Sequence, residues 1–201
     1  IVRLSSETDF VAKNEDFITL AKEFANLGLE KFPATKDELM NLDFNGMTVG
    51  DKVTEQVGVI GEKIELADYE RLESDYIAPY IHMGYKAGVL VGLNKEGDFE
   101  GPGRDVAMQV AAMKPVAVDK DGVDQSIIEK EIEIGKEQAR QEGKPEQIIE
   151  KIAMGKLGKF FKENTLLNQA FVKDSSMNVQ QYLKSVDDGL TVTDFKHVQL
   201  G

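Results

Sequence analysis

The run Thr8-Asp9-Phe10-Val11 sets an acid and a large aromatic side by side where an amphipathic stretch begins. At a helix N-terminus, backbone N–H donors and the positive end of the helix dipole are exposed, so Asp9 is well placed there on electrostatic grounds alone. Phe10 has two readings, a core anchor or a protruding wedge. Phe10, Phe17 and Phe24 recur at heptad spacing, which puts Phe10 on the apolar stripe. Its place on the first turn, where such a stripe can run past the edge of a core, points the other way. His82 precedes Gly84 and a glycine-containing apolar run. It reads either as a structural histidine or as a contact on a loop where glycine lets another backbone approach closely.

The signals of covalent chemistry are missing. No G-x-x-x-x-G-K-[ST] phosphate loop occurs, and Gly101-Pro102-Gly103 reads as a plain turn. The two histidines, His82 and His197, have no zinc-type spacing, and no G-x-S-x-G elbow is present. The many acids read as solvated helix faces. No residue is assigned a catalytic or metal-binding role, and no cofactor is expected.

The chain has 201 residues, 41% hydrophobic and 30% charged, with a formal net charge of −12. That length can hold one or two domains with a sizeable core. The acidity argues against direct nucleic-acid binding through the field of the whole molecule. The longest apolar run, Ala87–Leu93, is far shorter than the about 20 residues of a membrane helix, so no membrane role is expected. Cysteine is absent, which is compatible with a cytoplasmic location. The opening Ile1-Val2-Arg3-Leu4 has no signal-peptide pattern and reads as a strand entered midway, with residues expected upstream.

These residues need elements to position them. Alternation at Val2 and Leu4 predicts a short strand, and the apolar stripe predicts one helix over 8–32, stopped by Pro33. Thr35-Lys36-Asp37-Glu38 is a capping box opening a helix to Leu42, and Thr48-Val49-Gly50-Asp51 is a weaker one opening a helix that Gly61 closes. Ile64 and Leu66 alternate with polar neighbours as in a half-buried strand. A second unit begins near Tyr76, with Ala87–Leu93 as a strand buried on both faces and a small-residue helix over 105–113. Residues 124–163 form two helical arms around Gly143-Lys144-Pro145. Ile128, Ile132, Gly135 and Ala139 stripe the first arm; Ile149, Ile152, Met154, Leu157 and Phe160 mark the second. The first arm has an acidic excess and the second a basic one, which suits antiparallel pairing. A short helix over 179–183 and a strand over 191–200 close the chain.

The expected class is α+β: two related core subdomains with small antiparallel sheets and packed helices, plus an inserted antiparallel helical hairpin, a coiled coil. The expected organisation is an N-subdomain over 1–75, a C-subdomain over 76–123 and 164–201, and the hairpin over 124–163.

Taken together, the motifs resemble the bacterial translation elongation factor Ts family. They are Thr8-Asp9-Phe10-Val11, Ile60-Gly61-Glu62, His82-x-Gly84-x-Lys86-x-Gly88-Val89-Leu90-Val91, Val106-Ala107-Met108 with Val110 to Pro115, Gly143-Lys144-Pro145, and Gln169-Ala170-Phe171-Val172. They run in the family's order over essentially the whole chain. Departures are Lys63 where the family often has Asn, Tyr85 for a usual small residue, Ala170 where Pro is common, and Lys173 where an apolar residue can occur.

The resemblance implies a guanine-nucleotide exchange factor that acts on elongation factor Tu without a covalent step. It implies partner-binding roles for Thr8, Asp9, Phe10 and Val11, the exchange motif, with the Asp9-Phe10 pair entering near the partner's Mg²⁺ and phosphate loop. Asp9, Phe10, Ile60, Gly61 and His82 would face the nucleotide domain, and Phe171 and Val172 would lie toward another domain. The partner would be bound both with GDP and nucleotide-free. Family hairpins can also self-associate, which allows a homodimer. The family begins with a small helical module similar to a ubiquitin-associated domain, and this chain is expected to start after it and to bind less tightly than an intact factor. Two rivals differ in kind: a binding or chaperone-like protein that does not drive exchange, and a hydrolase built on a spatial acid pair or a His82–acid dyad.

Overall fold

A computed structural model describes residues 1–82 and 84–200 of the chain; Met83, inside the His82 motif, lies outside the described residues. The chain divides into two compact units. One comprises Ile1–Glu73, Pro79–Leu90 and the end of the chain from Lys196; the other comprises Ser74–Ala78 and Val91–Phe195. Both mix helices with small sheets, as an α+β chain does.

The first unit opens with β1 (Val2–Ser5), then α1 (Asp9–Ala12) and α2 (Glu15–Lys31). The single helix expected over 8–32 is therefore two. Asn14 explains the break: its backbone is extended, and its side chain accepts hydrogen bonds from the N–H groups of Asp16 and Phe17, capping α2. Phe17, Leu20 and Phe24 then carry the stripe into the core. The heptad relation stops at the cap, because α1 is a separate helix, and Phe10 leaves the stripe. At the other end of α2, Phe32 is left-handed and Pro33 follows.

α3 (Lys36–Met40) begins at Thr35, whose side chain accepts from Glu38 N–H. The hairpin of β2 (Asp43–Phe44) and β3 (Met47–Thr48) was not anticipated, although Asn45-Gly46 is its signature. Both residues have positive φ, 57° and 87°, as a two-residue turn matching strand twist requires. α4 (Val49–Ile60) starts with a reciprocal capping box between Thr48 and Asp51 and ends at Gly61, φ 78°. β4 (Glu65–Tyr69) pairs antiparallel with β1, with a register shift between Arg3 and Leu4. The core of this unit joins α2 to Leu39, Val49, Val53, Ile64 and Leu66, with Phe24 edge-to-face on Phe44 at 5.1 Å.

β5 (Tyr76–His82), β6 (Ala87–Leu93) and β9 (Val192–Gln199) form a three-stranded sheet in the order β5-β6-β9. In the second unit, α5 (Glu100–Met113) starts five residues earlier than expected. Gly101-Pro102-Gly103 is its first turn and not a loop. Pro is tolerated there because first-turn N–H groups lack helical acceptors anyway. A Cβ on Gly103 would come within 2.5 Å of Ala78 Cβ, so the helix start needs glycine.

α6 (Gln125–Gln141) and α7 (Glu146–Asn164) lie against one another, joined through Gly143, φ 70°. Gly135 meets Ala153 so closely that an added Cβ would stand 3.1 Å from Ala153 Cα. The buried face of α7 is Ile149, Ala153 and Leu157, spaced by four; Met154, expected on the stripe, is 51% exposed. The unit is completed by β7 (Ala170–Phe171), β8 (Asp174–Asn178) and α8 (Val179–Val186), with β7 and β8 antiparallel. Among the described residues, no helix is long and apolar enough to cross a membrane.

Candidate partner-binding surface

The Thr8–Val11 motif is mounted on a very short helix with strong anchoring at its start. Thr8 is the N-cap of α1. Its backbone N–H donates to Glu62 Oε2 at 3.0 Å and its hydroxyl donates to Glu62 Oε1 at 2.6 Å. Glu7 returns the contact, accepting from Lys63 N–H at 3.0 Å. Two acids thus lace the start of α1 to the residues that follow Gly61. A four-residue helix could not hold itself, because nucleation costs more than one turn returns; the lacing supplies what its length lacks.

Asp9 carries the motif to a third segment. Its carboxylate lies 3.6 Å from Lys13 Nζ and 3.5 Å from Lys86 Nζ, from the residues between β5 and β6. All three groups are over half exposed, so these pairs orient more than they stabilise. Phe10 is 90% exposed. Its reading as a core anchor is overturned by the break at Asn14. Val11 takes the inward place, packed on the core of its unit, as Ile60 also is. Gly61 is exposed in its left-handed cap.

His82 is half-buried, and its Nδ1 shares a 2.7 Å hydrogen bond with the Tyr80 hydroxyl. Gly84 and Tyr85 both have positive φ, 60° and 70°. The turn therefore favours glycine at the position Tyr85 fills. Tyr85 is half exposed with Lys22 Nζ 5.8 Å from its ring centroid.

In the second unit Phe171 and Val172 separate. Phe171 is 3% exposed and stacks on Tyr182 with ring centroids 4.1 Å apart, whereas Val172 is 47% exposed. Tyr182 donates its hydroxyl to Asp105 Oδ2 at 2.9 Å, and Lys173 Nζ holds Asp105 Oδ1 at 2.7 Å. Burial, helped by the Asp105 hydrogen bond and charge, pushes the Tyr182 phenol up to about 12.

The structure brings Thr8, Asp9, Ile60 and Gly61 into one neighbourhood. Glu7, Glu62 and Lys86 hold it together, and no role was assigned to them from sequence. Glu62 and Lys86 stood inside quoted motifs; their partners are more than fifty residues away, so no local pattern could name them. Among the described residues, no three His, Cys, Asp or Glu side chains gather as a metal site would need. What the surface offers is an exposed aromatic beside an acid, on a helix start held by Glu62.

The model of the family described as elongation factor TS matches residues 7–201. Elongation factor Ts of Christiangramia forsetii is 50% identical over the whole of this chain, which spans 73% of that protein. The elongation factor Ts proteins of Flavobacterium psychrophilum and Amoebophilus asiaticus are each 51% identical with the same coverage. A match that runs from the Thr8–Val11 motif to the last strand at this identity leaves one assignment: the chain belongs to the elongation factor Ts family of translation elongation factors.

Proposed function

We propose that the chain is a guanine-nucleotide exchange factor: it binds elongation factor Tu carrying GDP, disturbs the Mg²⁺ and phosphate site, and so speeds GDP release before GTP binds. The observation that carries this reading is Phe10, 90% exposed on a helix start that is itself held by Glu62. An aromatic displayed to water on a fixed mount gains most when a partner buries it. Full burial of a phenylalanine is worth about 1.5–3 kcal/mol. Each tenfold in release rate needs about 1.4 kcal/mol off the barrier. Phe10 alone can therefore supply about one to two decades, if its burial is realised only as the phosphate contacts loosen.

No bond is made or broken by the chain, and no cofactor enters. GDP is held by Mg²⁺ and by backbone N–H groups around its phosphates. A wedge that displaces those groups releases the phosphates without touching the guanine. The coupling is reciprocal in affinity: GDP must weaken the grip of this chain on its partner by the factor by which the chain weakens the partner's affinity for GDP. In this reading Thr8–Val11, Ile60, Gly61 and His82 meet the nucleotide domain, and the Val172 turn meets a second domain. The 1–75 and 76–201 segments act as two related subdomains, with 124–163 as a coiled-coil insertion, in the cytoplasm.

Stopped-flow release of fluorescent GDP from elongation factor Tu tests the proposal. The expected result is acceleration that rises with the concentration of this chain. Binding by titration with unchanged release would make the chain a non-exchanging binder instead.

A further inference from the structure

The groups that hold Val172 lie beneath it in the same unit. Gln109, on α5, is fully buried among apolar neighbours on its helix, Val106, Ala107 and Val110. Both ends of its side chain are used. Oε1 accepts Val172 N–H at 2.8 Å, while Nε2 donates to Gln169 Oε1 at 3.2 Å and to the Ala170 carbonyl at 3.1 Å. Gln169, 1% exposed, donates in turn to the carbonyls of Glu163 at 3.0 Å and Met113 at 3.4 Å. One turn back on α5, Asp105 grips Lys173. Residues four apart share a helix face, so one face of α5 holds two successive residues of the turn after β7.

A buried amide is costly unless its polar ends are paired, and an apolar side chain would fill the same space without that demand. What the amide adds is a defined backbone position. We propose that Gln109 is a positioning residue for partner binding: it fixes the Val172 backbone so that the exposed valine meets the partner already ordered, and through Gln169 it ties that turn to the last turn of α7. The proposal rests on Val172 being a partner contact, as read above. Ordering a contact beforehand raises affinity by removing the cost of ordering it on binding. It leaves the step at Phe10 unchanged.

The test compares Gln109→Met, Val172→Ala and the double variant by calorimetric titration with nucleotide-free elongation factor Tu, together with the saturating rate of fluorescent GDP release. Gln109→Met keeps the side-chain length and removes both polar ends. Its Kd is expected to rise about fivefold, the worth of one net hydrogen bond, with the saturating release rate unchanged. The double variant is expected to bind no more weakly than the weaker single one. A lower Tm for Gln109→Met with wild-type Kd, while Val172→Ala weakens binding, would overturn the proposal and leave the Val172 reading intact. Wild-type Kd for Val172→Ala would overturn both. If Gln109→Met does not fold, amide hydrogen exchange on the unaltered chain decides: protection of Val172 N–H like that of the Val110 amide is expected, and exchange at the rate of an exposed turn overturns the proposal.

Discussion

Phe10 and Phe171 are both aromatic, both stand in motifs of the elongation factor Ts family, and the fold treats them in opposite ways. Phe10 is displayed, and the groups around it hold its backbone while leaving the ring in water. Phe171 is consumed by the core, stacked on Tyr182, and only its neighbour Val172 reaches the surface. The lesson is that a contact can be rigid for two reasons. On α1 the rigidity comes from exposed acids lacing two loops; at β7 it comes from a buried amide and an apolar stack. The first arrangement spends little stability on its aromatic, which the proposed function puts to work on a partner. The second is bound up with the folding of its unit.

The sharpest way to break this comparison is to truncate both aromatics. Phe171→Ala is expected to cost about 3–5 kcal/mol of stability, read as a fall in urea midpoint or Tm. Phe10→Ala is expected to leave stability within about 0.5 kcal/mol of the parent, yet to slow GDP release at a fixed chain concentration by about 10- to 100-fold. A large loss of Tm for Phe10→Ala would return that residue to the core and end the wedge reading.

A smaller effect tests the lacing. Glu62→Ala removes the acceptor of Thr8 N–H and of its hydroxyl, a loss of about 1 kcal/mol confined to α1. Exchange activity is expected to fall about fivefold, with faster amide hydrogen exchange at Thr8 and Val11 and an unchanged global unfolding midpoint. Glu62→Gln keeps one acceptor oxygen and is expected to lie between. Equal activity for Glu62→Ala and the parent would show that α1 holds its place without the clamp.

The smallest effect sharpens the other side. The Tyr182 phenol is raised from 10.0 to about 12, burial being the first cause and Asp105 the second. A raised pKa means that the folded state favours the proton. The corresponding stability is fully present below pH 10 and is lost as pH rises through about 12. Urea unfolding across that window is expected to show the loss, and Tyr182→Phe is expected to flatten it. A parent chain as stable at pH 12 as at pH 10 would remove the Asp105–Tyr182 link from the account of the second region.

Much of the fold was legible along the chain because its signals are local. The N-cap at Thr35, where Glu38 reaches Ala34 N–H and so leaves the expected box unclosed, the capping box at Thr48, the stop at Gly61, the apolar run Ala87–Leu93 and the turn at Gly143 each act within a few residues. Asn45-Gly46 is as plain a local signal, for the β2–β3 hairpin. The failures came where a rule was carried across a boundary it does not cross. Heptad spacing held from Phe17 to Phe24, but Asn14 had already ended the helix to which Phe10 belongs. A Gly-Pro-Gly string suggested a loop, yet first-turn geometry accepts proline and close packing on Ala78 requires glycine.

By itself, then, the sequence determined the class of fold, most element boundaries, the family and the location of its motifs, since all of these depend on residue type and spacing. Only the tertiary structure decided that Phe10 faces out and Phe171 faces in, that Glu62 and Lys86 reach α1, and that Gln109 holds Val172. Each of those facts is a pairing or an exposure set by residues up to 77 positions apart. Hydrogen bonds and burial depend on distance in space, and distance along the chain carries no record of it until the core has closed.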